Sequence, residues 1–304
     1  MRIGVAATPN VALATLDWLR DSNHQLSLVI TRPDQPSGRG RTVKESVVAA
    51  WARAHGVECV KPVASEDLFE SLTLIDLVVT IGYGVILPVE ILSIPRFGFV
   101  NLHFSLLPAW RGAAPVQRSI LSGDERSGVT VFALDSGMDT GPIYVQREVP
   151  IYPYENSGEL LTRMAVLGPE VIAQTLTMIE SGTPPRPQGL ERVTYARKVT
   201  KEDARLVWSK GAQELDRQIR AFTPEPGAWT MWRNSMVRID RAHLFPLEHR
   251  ISPGVILIQG DHLTVGCAGG EGLIIEEVTP SGKKMMSAKS WANGARIEEG
   301  ESFV

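Results

Sequence analysis

The 304-residue sequence holds only two cysteines, Cys59 and Cys267, far apart and at no metal-ligand spacing. Neither a disulfide framework nor a zinc site is expected from so few. No segment approaches the roughly 18 uninterrupted apolar residues that a membrane-spanning helix needs. The apolar stretch at 2–7 is too short for the hydrophobic part of a signal peptide. The expectation is a protein of the reducing cytoplasm with no membrane partner. An excess of either charge is also missing: 31 basic and 34 acidic side chains leave a formal net charge of −3, so the total gives no hint of nucleic acid. Internal repeats and low-complexity tracts are absent too. What is present, 43% apolar and 21% charged residues, is ordinary soluble composition, and the length suits two domains or one large α/β unit.

The first half alternates apolar, β-branched runs at 3–7, 26–31 and 74–81 with helical patterns at about 9–21 and 44–55. This is the grammar of a parallel sheet covered on both faces. Further strands are expected near 99–103, 129–134 and 143–150, with a helix at 114–121 and one longer helix over 157–180. Ser-Gly-Thr-Pro-Pro-Arg-Pro-Gln-Gly at 181–189 ends any periodic element. After one more helix at 211–222, short runs at 236–239, 254–259, 263–267 and 273–278 predict a small sandwich or barrel. The division expected is 1–189, a connection over 190–206, and 207–304. Charge divides unevenly: 15 basic and 19 acidic residues in 1–189, but 16 and 15 in 190–304. Without the acidic tail the second part, 190–289, holds 15 basic and 12 acidic residues, a mild basic bias that permits phosphate contacts.

The most informative stretch is Val-Asn-Leu-His-Phe-Ser-Leu-Leu-Pro-Ala-Trp-Arg-Gly-Ala-Ala-Pro, 100–115. Asn101 and His103 are two apart, so an extended strand projects both from one face. Ligand sites of open parallel sheets lie beyond the carboxyl ends of the strands, where this pair falls. A neutral His can act as general base and an Asn amide can donate to an oxyanion, a minimal acyl-transfer set. A carboxylate could come from Leu-Asp-Ser-Gly-Met-Asp-Thr-Gly-Pro, 134–142, at the end of another strand. Asp139 is the candidate and Asp135 its competitor.

These words resemble the methionyl-tRNA formyltransferases. Asn-Leu-His-Phe-Ser-Leu-Leu-Pro-Ala-Trp-Arg-Gly-Ala-Ala-Pro-Val-Gln-Arg and Asp-Ser-Gly-Met-Asp-Thr-Gly carry the likeness. Ala-Thr-Pro at 7–9, Arg-Pro-Asp-Gln-Pro-Ser-Gly-Arg-Gly-Arg at 32–41, Val-Thr-Tyr-Ala-Arg-Lys at 193–198, Arg-Ala-Phe-Thr-Pro at 220–224 and Gly-Lys-Lys-Met-Met at 282–286 extend it along the chain. The resemblance implies an α/β fold: a Rossmann-like formyltransferase domain with a mostly parallel sheet, plus a C-terminal OB-like β-barrel domain that assists tRNA binding. It implies transfer of a formyl group from 10-formyltetrahydrofolate, a cosubstrate, to the amino group of methionyl initiator tRNA. The same triad serves formyltransferases of amino sugars or other small amines, the alternative reading. The family's catalytic triad maps onto Asn101, His103 and Asp139, with no metal, and a monomer is expected.

The family's folate segment maps onto Ser105, Leu106, Leu107 and Pro108. Tyr83, Gly84, Ile86 and Leu87, after the strand at 74–81, suit the apolar slot that a planar ring needs. Arg32, Arg39, Arg41 and Lys44 surround two glycines in the loop 32–44. On composition alone this is a solvated loop; with the resemblance it becomes the candidate contact to tRNA phosphates. After Gly40 the chain reads Arg-Thr-Val-Lys-Glu-Ser, where many relatives continue with a second lysine and a Pro-x-Pro segment. Trp208, Trp229 and Trp232 read as packing residues rather than base-stacking ones. Lys283 and Lys284 read as a hairpin tip.

Overall fold

The computed structural model describes residues 1–37, 42–247, 250–298 and 300–304. They form two compact units, neither contiguous in sequence. The first comprises Met1–Pro115, Arg126–Pro150 and Leu161–Ala196; the second comprises Val116–Glu125, Ile151–Leu160 and Arg197–Val304. Among the described residues no helix is long and apolar enough to cross a membrane.

The first unit is built on strands β1 (Arg2–Ala7), β2 (Gln25–Ile30), β5 (Cys59–Val60), β6 (Leu77–Ile81), β7 (Phe99–His103), β9 (Arg126–Ala133) and β10 (Ile143–Pro150). Three short pieces complete the numbering: β3 (Gln35–Ser37) pairs with β4 (Thr42–Lys44), and β8 (Arg111–Gly112) pairs with a two-residue strand described below. The main sheet has the order β10-β9-β7-β6-β1-β2-β5. Strands β5, β2, β1, β6 and β7 are parallel, the doubly wound order, whereas β9 and β10 add antiparallel at one edge. The near-continuous apolar runs of β1 and β6 follow from burial on both faces: Ile3, Val5, Leu77, Val78 and Val79 are inaccessible to solvent.

The long helix expected over 157–180 is two helices, Ser157–Ala165 and Gly168–Glu180. Pro169 has no N–H to continue the first, so the chain restarts with proline in the new helix's first turn. Gly168 is needed there because a Cβ would sit 2.4 Å from the Thr15 hydroxyl and 3.2 Å from Leu102. That close approach packs the second helix against the helix Leu13–Asp21.

The second unit carries an antiparallel sheet in the order β12-β13-β16-β15-β14. The first strand of the unit, β12 (Ala228–Trp232), was not expected from the sequence. It is followed by β13 (Ser235–Phe245), β14 (Ile256–Gln259), β15 (His262–Gly266), β16 (Gly272–Pro280) and β17 (Met286–Ser287). Lys283 and Lys284 lie exposed in the turn between β16 and β17, as expected of a hairpin tip. The tetrapeptide 301–304 closes the sheet on itself. Val304 exchanges both backbone hydrogen bonds with Met231 on β12, while Ile256 donates to the Glu301 carbonyl and the Phe303 N–H donates to Gly254 at the β14 side. Both edges of the sheet are thereby paired, which removes the open edges of a five-stranded sheet.

Phe303 is 3% exposed and lies stacked between Trp208 and Trp291, with ring centroids 5.5 and 5.8 Å away. Trp232 meets Trp291 edge-on at 5.2 Å. Trp208 donates its indole N–H to Thr230 at 3.0 Å and Trp229 donates to the Lys201 carbonyl at 2.8 Å, and both are buried, as packing residues are. Phe303→Ala removes the centre of the stack beside the closing strand and is expected to destabilise the second unit by about 3–5 kcal/mol. Urea unfolding followed by tryptophan fluorescence measures this, and an unchanged midpoint would show that the stack contributes nothing.

Candidate active site

Strand β7 lies between β6 and β9, and its register places Asn101 beside Thr80 of β6 and His103 beside Thr130 of β9. Both threonines act on the site. The Thr80 hydroxyl donates to Asn101 Oδ1 at 2.8 Å, which turns the amide so that its N–H groups are left as donors. Thr130 Oγ1 donates to the Ser105 carbonyl at 2.6 Å and accepts the Leu107 N–H at 3.2 Å, shaping the chain as it leaves β7. Neither threonine carried a signal in the sequence, since each sits inside an apolar run.

His103 is buried, its ring meeting the edge of Phe132 at a centroid distance of 6.4 Å. Its Nε2–H donates to the Trp110 carbonyl at 2.9 Å. In the neutral ring this makes Nδ1 the unprotonated nitrogen. Nδ1 faces Asp139 Oδ2 at 3.7 Å, longer than a hydrogen bond and within reach of an ion pair once the ring is protonated. The same Oδ2 accepts the Gly112 N–H at 2.6 Å. Asp135, the competing carboxylate, is used within its own loop: its Oδ1 accepts from Gly137 N at 3.0 Å and from the Thr140 hydroxyl at 2.7 Å. The loop Asp135–Pro142 thus divides its two carboxylates between a turn and the histidine.

Residues 1–176 match the family model described as formyl transferase, and 198–296 match formyl transferase, C-terminal domain. A methionyl-tRNA formyltransferase of Thermobifida fusca is 44% identical over 308 residues, covering 100% of this chain and 99% of that protein. The chain belongs to the methionyl-tRNA formyltransferase family. Among solved structures, an N-formyltransferase from Helicobacter canadensis superposes with a TM-score of 0.70 at 20% identity, covering 90% of this chain and 98% of that one. The methionyl-tRNA formyltransferase from Clostridium thermocellum gives a TM-score of 0.58 at 18% identity, covering 81% and 94%. These two likenesses are of fold.

Within this formyltransferase fold, the residues expected at the folate segment separate into two groups. Ser105 is fully buried and donates to the Ala109 carbonyl at 2.6 Å; Leu107 packs with Phe132 and Ile143. Tyr83 and Leu87 turn into the core cluster with Ile30, Leu68 and Phe99. Gly84, at φ +70, and Ile86, 85% exposed, present the open surface of the loop after β6, while Leu106 and Pro108 are half-buried. Tyr83, Val85 and Leu87 also line a cavity of about 210 Å³ with Arg32, Pro62 and Val63. Arg32 and Lys44 are exposed; Arg39 and Arg41 lie outside the described residues.

Neither thiol is activated. Burial raises the Cys59 thiol, and burial with Glu271 nearby pushes Cys267 up to about 12. Among the described residues no group of three or more His, Cys, Asp or Glu could hold a metal ion.

The segment after the last helix of the first unit is not a free connection. Arg186 exchanges backbone hydrogen bonds with Ile143, Gln188 reaches the carbonyls of Asp139 and Gly141 at 2.8 Å each, and Thr194 Oγ1 accepts the Trp110 N–H at 2.8 Å. Its end, β11 (Tyr195–Ala196), pairs parallel with β8. The prolines and glycines at 181–189 gave no sign of these bonds.

Gly112 occupies φ +118, and a Cβ there would lie 2.8 Å from the Ala196 carbonyl oxygen. Gly112→Ala is expected to cost about 1–3 kcal/mol from backbone strain alone. Thermal unfolding of the variant tests this: a melting temperature equal to wild type would mean that β8 and β11 separate freely.

Proposed function

We propose that this chain transfers the formyl group of 10-formyltetrahydrofolate to the α-amino group of methionyl initiator tRNA, a step of translation initiation in the cytoplasm. The observation that carries the reading is the full-length likeness to a methionyl-tRNA formyltransferase at 44% identity. The Helicobacter protein of the same fold was solved with folinic acid and an amino-sugar nucleotide, which supports a folate-type donor. Its 20% identity carries no more than fold, so the amino-sugar alternative is not favoured.

Asn101, His103 and Asp139 are the proposed catalytic residues. The neutral amine attacks the formyl carbon, and the Asn101 amide, its oxygen held by Thr80, donates to the developing oxyanion. With Nε2 committed to the Trp110 carbonyl, Nδ1 of His103 is the nitrogen that takes the proton shed by the attacking amine. The protonated ring then faces Asp139 Oδ2, which stabilises the charge until the proton passes to the departing N10 of the folate. One N–H bond and one C–N bond break as one of each forms, so no further reactant is needed.

The loop after β6 and the segment 105–108 are proposed to receive the folate. Gly84 and Ile86 offer its exposed face, with Leu106 and Pro108 at the rim, while Tyr83, Leu87, Ser105 and Leu107 act by packing behind it. Arg32, Arg39, Arg41 and Lys44 are the proposed contacts to tRNA phosphates. Residues 1–189 would carry the chemistry, and 207–304 would assist in holding the tRNA.

Purified protein incubated with 10-formyltetrahydrofolate and charged initiator tRNA is expected to yield formylmethionyl-tRNA. His103→Ala should reduce the rate by about 10²–10⁴-fold. No product from wild type, or an undiminished rate from the variant, would overturn the assignment. Arg39→Ala is expected to raise KM for the tRNA at moderate salt while leaving folate affinity unchanged. Equal losses for both ligands would refute the division of roles.

A further inference from the structure

Arg111 is buried, at 8% exposure, yet its guanidinium has no carboxylate within ion-pair distance among the described residues. A buried cation without a counter-ion is costly and needs strong acceptors. Its acceptor is a neutral amide: Gln188 Oε1 receives Arg111 Nε at 3.2 Å and Nη2 at 2.7 Å. The other end of the same amide is equally committed, because Nε2 donates to the carbonyls of Asp139 and Gly141, each at 2.8 Å. The guanidinium polarises the amide and so strengthens the two bonds it donates.

Those two carbonyls flank the bend that aims the carboxylate. Asp139 holds φ +53, a conformation that non-glycine residues seldom adopt without support. From there its Oδ2 reaches both Gly112 N and His103 Nδ1. Gly141 is pressed against β9, where a Cβ would overlap the Ala133 carbonyl, so the loop is seated on one side and clamped by Gln188 on the other. Arg111 adjoins Gly112, so one amide ties the backbone of the carboxylate to the strand whose N–H that carboxylate accepts.

We propose that Gln188, backed by Arg111, is a positioning residue for Asp139: its amide holds the carboxylate of the 135–142 loop in register with His103 and Gly112. The role in turnover rests on the formyl-transfer reading; the clamp itself does not.

Gln188→Glu separates positioning from folding. The carboxylate still satisfies Arg111, as an ion pair, but turns both donors toward Asp139 and Gly141 into acceptors. The thermal midpoint should therefore fall less than in Gln188→Ala, where Arg111 is left without its acceptor. Amide hydrogen exchange of the substrate-free protein should show lost protection at Gly112 N–H, whose acceptor is Asp139, and unchanged protection at Val131 in β9. In formyl transfer, kcat should fall by about 10–100-fold with KM for both substrates unchanged. Gln188→Ala should give the same fall in kcat together with a lower thermal midpoint, because Arg111 loses its acceptor.

Retained protection at Gly112 in Gln188→Glu overturns the clamp, whatever the substrate. So does an unchanged kcat, a change confined to KM, or a fall in thermal midpoint for Gln188→Glu matching that of Gln188→Ala. If protection is lost as expected but wild type forms no formylmethionyl-tRNA, the functional reading fails and the clamp stands.

Discussion

One hydrogen bond, from His103 Nε2 to the Trp110 carbonyl, decides what the imidazole can do. By spending Nε2–H on a backbone acceptor it leaves Nδ1 as the only nitrogen with chemistry to offer, and turns that nitrogen toward Asp139. The bond depends in turn on where the chain runs after β7. Trp110 sits at φ +61, its N–H taken by Thr194, and Ser105 closes the turn back to Ala109. A strand end, a tight loop and a distant segment thus converge on the tautomer of one ring.

That convergence explains why the segment from Arg186 to Ala196 belongs to the first unit. A connection that runs on from a stretch with three prolines, 181–189, would ordinarily serve as a spacer. Here its polar groups are placed at intervals that meet both site loops: backbone at Arg186, side chain at Gln188, hydroxyl at Thr194, and a two-residue strand at its end. Precision in the site is obtained from segments with little regular structure of their own, pinned by hydrogen bonds to one another and, at Arg186, to the edge strand β10 of the sheet.

The second unit shows the same economy on a larger scale. Its sheet would have two open edges, and four residues at 301–304 pair with both, anchored by Phe303 between two tryptophans. Trp208 and Trp291, which could suggest a base-stacking surface, are buried against Phe303. The basic bias of this part of the sequence is left to its exposed side chains, such as Lys283 and Lys284.

Much of this was legible in the sequence where local rules suffice. Period-two spacing put Asn101 and His103 on one face because a strand allows nothing else, and the apolar runs of β1, β2 and β6 announced a parallel sheet. The motifs of 100–115 and 134–142 pointed to the family directly. Other features depend on partners remote in sequence. Asp135 and Asp139 share a glycine-rich loop, and only the fold shows that the first is taken by Gly137 and Thr140 and the second faces the ring. The helix expected as one over 157–180 is split at Pro169, and what tertiary structure adds there is the close approach of Gly168 to Thr15, some 150 residues earlier in the chain. Tyr83 and Leu87 read as slot-lining residues, and only the fold shows that they pack with the core cluster while also lining a cavity with Arg32, Pro62 and Val63. Residue type and spacing, then, determined which chemistry the chain can perform, since a strand projects its side chains by a fixed rule. Which carboxylate faces the ring, which ring nitrogen is spent on a carbonyl and which glutamine backs the loop was decided only by tertiary structure, because each depends on where the chain turns back on itself, through bonds spanning 7 to 77 residues that no local pattern encodes.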